Sequence, residues 1–159
     1  MAGDSINSIY TVLVVDDEER VRDFVVSFLS KMGYSCMTAM DGLDALEMMK
    51  GKKFDAVIAD IKMPNMDGIM LTGEIVKRYP EVPVMVMTGF EEEYSAGTAI
   101  SFGAQEFIKK PFSVDEFGIR LHKMIKGAES VKQAKIAGDD EETDMQGLLN
   151  DLEKSIKEN

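Results

Sequence analysis

The sequence predicts an α/β fold: a doubly wound, five-stranded parallel sheet with helices on both faces. Three observations carry this. Short apolar runs alternate with helix-period segments five times along the chain, the pattern of a parallel sheet covered on both sides. The first run, residues 11–15, is continuously β-branched and leucine, as a strand buried on both faces requires. Four runs end in polar side chains. YTVLVV ends at Asp16-Asp17, FDAVIAD at Asp60, VPVMVMT at Thr88, and QEFIKK at Lys110 before Pro111.

The elements follow in order. After the strand at 11–15 comes a helix over 18–32, with Val21, Phe24, Val25, Phe28 and Leu29 on one stripe and Gly33 as its stop. A weaker strand over 34–39 holds the single cysteine, Cys36, as a small core residue. Asp41 caps a helix to about 50 that carries Leu43, Leu46 and Met49 inward. The strand at 54–59 leads through the turn-rich loop KMPNMDG into a helix over 67–78. Pro80 and Pro83 bracket the entry to a strand at 83–87. A helix over 91–102 has Ala96, Ala99 and Ile100 inside and ends at Gly103. A strand at 105–108 and a helix from Ser113 to about 126 complete the domain.

In an open parallel sheet the carboxyl ends of the strands share one edge, and ligand chemistry gathers there. Three carboxylates, a hydroxyl and an ammonium would therefore meet. Crowded carboxylates repel unless a cation lies among them. Mg²⁺ suits such a site, because it takes one or two carboxylates and keeps positions for water or phosphate oxygens. On this reading Asp60 is a nucleophile that becomes an aspartyl phosphate. Asp17 and Asp16 hold the metal, and Lys110 and Thr88 neutralise phosphoryl oxygens. Plainer alternatives exist for each residue. An acidic pair suits a helix N-terminus, a threonine suits a strand end, and a lysine suits any solvated surface.

The segments VLVVDDEE (12–19), VIADIKMPNMDG (57–68), VMVMTG (84–89) and FIKKPF (107–112), in this order and spacing, resemble the receiver domains of two-component response regulators, in particular single-domain, chemotaxis-regulator-like receivers. The resemblance covers residues 10–126 and implies a flavodoxin-like strand order of 2-1-3-4-5. It implies that Asp60 accepts a phosphoryl group from a sensor histidine kinase or a histidine phosphotransfer protein. Mg²⁺ would be held by Asp17, Asp60 and the Lys62 backbone carbonyl, with Asp16 in support. It selects Lys110 over Lys109, because the family's lysine directly precedes proline, and it implies a cis bond at Pro111. Thr88 and Phe107 match its switch pair, so phosphorylation would reshape the face of the fourth helix, fifth strand and fifth helix, where a downstream protein target docks. Met63, Pro64 and Gly68 match the loop after the phosphorylation site, and Gly89 leaves the pocket mouth open. Lys62 and Phe90 occupy positions that modulate dephosphorylation, and a lysine and a bulky ring there predict slow autohydrolysis.

Composition narrows the rest. The chain has 159 residues and a net charge of −11, which disfavours direct nucleic-acid binding. No apolar stretch is long enough to span a bilayer. The start, MAGDSINSIY, has no basic region followed by a long apolar segment, so a cytoplasmic protein is expected. His122 reads as a surface residue rather than a phosphorelay histidine. Residues 127–159 carry 4 basic and 9 acidic side chains. Residues 1–9 read as an N-terminal extension and 127–143 as an acidic linker. Residues 144–159 read as a short amphipathic C-terminal helix, with Thr143 and Gln146 as a capping box and Met145, Leu148, Leu149, Leu152 and Ile156 as its stripe. That helix would dock on its own receiver, pair with a second copy as a homodimer, or bind a partner groove. The ending SIKEN after a capped helix reads as a natural terminus, hence a stand-alone receiver that catalyses only its own phosphorylation and dephosphorylation. The alternatives are a receiver fragment of a larger response regulator or hybrid histidine kinase and, more remotely, an aspartyl-phosphate hydrolase. Lys62 stands where the haloacid dehalogenase family has its second aspartate, which argues against the hydrolase.

Overall fold

β1 (Thr11–Val15) leads into α1 (Glu19–Lys31), then β2 (Ser35–Ala39), α2 (Gly42–Gly51), β3 (Ala56–Asp60), α3 (Gly68–Arg78), β4 (Val84–Thr88), α4 (Ala96–Ser101), β5 (Glu106–Lys109) and α5 (Val114–Glu158). This computed structural model describes the backbone of residues 10–89 and 96–158 and the side chains of 10–89 and 97–136. The extension 1–9, Phe90 and the expected helix start at 91–95 lie outside the described residues.

The strands pair in parallel in the order β2-β1-β3-β4-β5, as the resemblance implied. This order accounts for the burial gradient. β3 and β4 are buried at every residue and β1 at all but its first. The two edge strands, β2 and β5, each keep exposed positions. Alternate residues feed two cores. Leu13, Val15, Val57, Ala59, Val84, Val86 and Phe107 face Leu46, Leu71, Ile75 and Ala99 from α2, α3 and α4. Val12, Val14, Ile58, Met85, Met87 and Ile108 face Val25, Leu29, Phe117 and Leu121 from α1 and α5.

Local chemistry sets the boundaries. Asp41 Oδ1 accepts the Asp44 amide at 2.8 Å to start α2, Asp67 Oδ1 accepts the Met70 amide at 2.8 Å to start α3, and Ser113 Oγ accepts the Glu116 amide at 3.0 Å to start α5. Gly33 leaves α1 at φ 99° and Gly103 leaves α4 at φ 107°, where a side chain would be strained.

Three positions expected inside are exposed: Phe24, Leu43 and Ile100. In α2 the inward stripe is Gly42, Ala45, Leu46 and Met49, the i, i+3, i+4, i+7 set that leaves Leu43 off its edge. Phe24 flanks the α1 stripe, and its ring stacks on Phe112 at 6.3 Å and meets Phe28 edge-on at 5.3 Å. Ile100 is one position past the buried Ala99.

The chain divides into two units, Met1–Lys126 and Gly127–Asn159. The first holds the sheet. The second is the C-terminal part of α5, and its backbone is helical through Glu158. Helical backbone thus replaces the linker expected over 127–143. Residues 128–137 (AESVKQAKIA) are mostly good helix formers, and no proline follows Pro111. Gly127 and Gly138 oppose the helix, each at about 1 kcal/mol. The stripe from Met145 to Ile156 lies beyond the residues whose side chains are described.

Candidate functional site

The parallel register brings the strand ends to one edge. Asp60 closes β3 level with Met87, and Thr88 closes β4 level with Lys109. Asp16 follows β1 directly, and its amide donates to the Ala39 carbonyl at 3.2 Å. Lys110 follows β5, and its amide donates to the Thr88 carbonyl at 2.7 Å. The Lys110–Pro111 peptide bond is cis.

At this edge the Lys110 ammonium lies 3.2 Å from Asp60 Oδ1 and 3.6 Å from Asp16 Oδ2. Asp16 is fully buried, Asp60 is 5% exposed and Thr88 2%, whereas the Lys110 side chain keeps 27% of its surface. Lys109 is exposed on the other side of the strand. One ammonium thus serves two buried carboxylates from different strands. Burial alone would pull the Lys110 pKa down, but the Asp60 and Asp16 carboxylates more than offset it and hold the ammonium above the usual lysine value. Burial pushes the Asp16 carboxyl up from its ordinary range, against the Glu18 amide and Lys110, which both favour its ionised form. The Glu18 amide donates to Asp16 Oδ1 at 2.9 Å. Asp16 Oδ2 has no hydrogen-bond partner among the described residues, only the ammonium at 3.6 Å.

Asp17 is exposed beside Asp16. Among the described residues, one group of acidic side chains is close enough to share an ion: Asp16, Asp17 and Glu18, with carboxylate oxygens within 4.8 Å of one another. Glu18 was not among the ligands expected from the sequence, and Asp60 is outside this group. Lys62 is exposed and follows Ile61, whose amide donates to the Met87 carbonyl at 3.0 Å. Thr88 Oγ1 donates to the Gly89 carbonyl at 3.1 Å. Phe107 is buried against the α2–α4 core. His122 is exposed on α5.

Sequence reading missed two supports. Arg22 Nη1 donates to the Asp16 carbonyl at 2.6 Å, tying α1 to the acidic turn. Arginine six residues past an aspartate carries no signal of its own in the sequence. Gly68 does more than form a turn. A Cβ there would overlap the Asp60 carbonyl oxygen, and the Gly68 amide donates to the Ile61 carbonyl at 2.8 Å. The glycine lets α3 start directly against the backbone of Asp60.

The strand order and this acidic, lysine-bridged edge define a signalling receiver domain. Residues 12–126 match the model of the response regulator receiver domain, and the chain belongs to that family. It is 37% identical over 105 residues to the DNA-binding transcriptional regulator NtrC of Escherichia coli K12, covering 66% of this chain and 22% of that protein. It is 30% identical over 115 residues to the response regulator MprA of Mycobacterium sp. KMS, covering 72% of this chain and 50% of that one. The chain thus spans between about a fifth and half of these relatives' length. The crystal structure of the receiver domain of NtrX from Brucella abortus superposes with a TM-score of 0.69 at 36% identity, covering 72% of this chain and 98% of that one. Among the described residues no helix is long and apolar enough to cross a membrane.

Proposed function

We propose that Asp60 is the phosphoacceptor of a two-component phosphorelay and that its modification controls a protein–protein contact. One observation carries this: the Lys110 ammonium lies 3.2 Å from Asp60 Oδ1 at the carboxyl edge of the sheet. The Asp60 carboxylate attacks the phosphorus of a phosphohistidine on the partner kinase or phosphotransfer protein. The new bond is an acyl phosphate, the P–N bond breaks, and the imidazole leaves with the electron pair and takes a proton. Lys110 neutralises charge on the transferred oxygens, and the Thr88 hydroxyl donates to one of them.

The donor set fits a hard divalent cation, since it is all oxygen and includes the buried Asp16 Oδ2, which lacks a hydrogen-bond partner. Asp16, Asp17, Asp60 and the Lys62 carbonyl would hold Mg²⁺, with Glu18 adjacent. When bound, Mg²⁺ neutralises phosphoryl oxygens and orients them. The lysine then need not carry that charge alone. Phosphorylation takes Asp60 from one negative charge to about two and biases Thr88 and Phe107 toward a second arrangement, which changes the face built by α4, β5 and α5. Lys62, an exposed cation, offers no carboxylate or amide to place an attacking water, so autohydrolysis is slow.

The test is intact mass after incubation with a small phosphodonor and Mg²⁺, for wild type and Asp60→Asn. One alkali-labile phosphoryl group on wild type alone is expected. No adduct on a folded, Mg²⁺-binding protein refutes the reading. A second reading, the receiver portion of a longer regulator, draws on the shares of NtrC and MprA that the chain covers. A coding sequence that runs in frame beyond these residues on either side decides for it, and one that does so on neither side decides against it.

A further inference from the structure

The loop between β3 and α3 leaves the phosphoacceptor at Ile61 and returns at Gly68, and it carries the Lys62 carbonyl. Its inner side is fixed by the buried Met63 and its far end by the packing of Gly68 on the Asp60 backbone. Between these points the loop is exposed at Pro64 and Asn65. Asn65 has φ 67°, a left-handed conformation that asparagine adopts more readily than other non-glycine residues.

What fixes Asn65 comes from another element. Its Nδ2 donates to Asp41 Oδ2 at 3.0 Å, while Asp41 Oδ1 caps α2 through the Asp44 amide at 2.8 Å. Asp44 in turn accepts the Met40 amide at 3.1 Å, so the acceptor sits on a braced helix start. These two amide donors hold the Asp41 carboxyl below the usual carboxylate range. A second contact lies beside the first. A Cβ on Gly42 would stand 2.8 Å from Met66 Cγ and 3.0 Å from the Met66 carbonyl oxygen, so the bare glycine admits the loop onto the helix. Two neighbouring residues of α2's start thus seat two neighbouring residues of the loop.

We propose that Asp41 and Asn65 are positioning residues that clamp this loop, so that the Lys62 carbonyl is already placed for a divalent cation. The clamp rests on the Mg²⁺ reading of the acidic edge. Ordering the loop in advance removes an entropic penalty from metal binding. Its members touch neither metal nor phosphate.

Isothermal titration of Mg²⁺ tests it in wild type, Asn65→Gly, Asp41→Ser and the double variant. Glycine keeps the left-handed backbone and deletes the amide donor. Serine keeps a capping oxygen for the Asp44 amide but cannot also serve Asn65. Each single change should weaken Mg²⁺ binding about fivefold, the scale of one exposed hydrogen bond. The double variant should be no weaker than either single, because one link is removed once. Unchanged Mg²⁺ affinity in both singles overturns the clamp, even where the melting temperature drops, since that pattern marks a purely structural bond. Losses that multiply in the double variant overturn it too. A folded wild type that takes up no Mg²⁺ refutes the reading of the site, and the clamp with it.

Discussion

Replacing Gly68 and Gly51 by alanine makes the same chemical change at two helix positions with opposite expected signs. At Gly51, the last residue of α2, nothing lies within 4 Å of the added Cβ. Alanine there stabilises by about 0.5–1 kcal/mol through a less flexible unfolded chain and better helix propensity. At Gly68 the Cβ overlaps the Asp60 carbonyl oxygen and falls 2.8 Å from the Asp60 carbonyl carbon and 2.9 Å from Ile61 Cα. All three neighbours are backbone, so no rotamer relieves the clash and α3 must lift from β3. The residues that would lose packing include Ile69, Leu71 and Ile75, all buried. Overpacking of this kind destabilises by about 1–3 kcal/mol, and an all-backbone clash belongs at about 3. With a urea m-value of about 2 kcal/mol per molar, Gly68→Ala should lower the unfolding midpoint by roughly 1.5 M, while Gly51→Ala should raise it slightly. Urea unfolding followed by circular dichroism reads both. A Gly68→Ala midpoint within about 0.25 M of wild type, equivalent to about 0.5 kcal/mol, would show that the close approach does not constrain the site.

Lys110→Met leaves the Asp16 and Asp60 carboxylates without their shared ammonium. The variant should be destabilised at pH 7 by about 2 kcal/mol, discounting a fully buried pair for the lysine's partial exposure. The deficit should shrink toward pH 5, because protonating a carboxylate then relieves the repulsion. A pH-independent deficit in urea titrations contradicts the pairing, and phosphoryl uptake should fall about 100-fold. Tyr34 is buried, and burial with the nearby Tyr10 pushes its phenol up to about 12. A raised pKa means its contribution is complete below about pH 10 and is lost as pH climbs toward 12, about 2.7 kcal/mol in all. Wild type should therefore lose that much stability relative to Tyr34→Phe between those limits, and parallel stability curves would refute it. Burial pushes the Cys36 thiol up to about 11, against the Ser30 hydrogen bond. At pH 8 alkylation of the native thiol should run about 100-fold slower than that of a free cysteine, and comparable rates would refute the burial argument.

Much of the architecture was legible because it depends on local pattern. Continuous runs such as TVLVV and AVIAD sit in strands that the sheet order makes central, and Gly33, Asp41, Gly103 and Ser113 mark boundaries by their own backbone and capping chemistry. The proximity of Asp16, Asp60 and Lys110 could be anticipated because parallel strands bring their ends together. What escaped depends on distant partners. Leu43 and Phe24 read as stripe residues until the neighbouring helices define which arc is covered. Arg22 and Glu18 look like ordinary charges of a solvated helix start, and nothing near Gly68 in sequence announces the Asp60 carbonyl. The segment 127–143 misled through composition, since small and acidic residues are shared by linkers and by solvent-facing helices.

The position of Lys110 also ties the proposed phosphoacceptor to several strand ends at once. Its side chain reaches the ends of β1 and β3, and its own amide is bonded to the end of β4. Three strands of the sheet therefore converge on one residue, three positions before the Ser113 cap of α5. Any change of charge at Asp60 alters the pull on a lysine whose backbone is fastened to Thr88. On the proposed phosphoacceptor role of Asp60, the residue that meets the new charge is also the one bonded to the end of β4, beside the proposed switch residue Thr88.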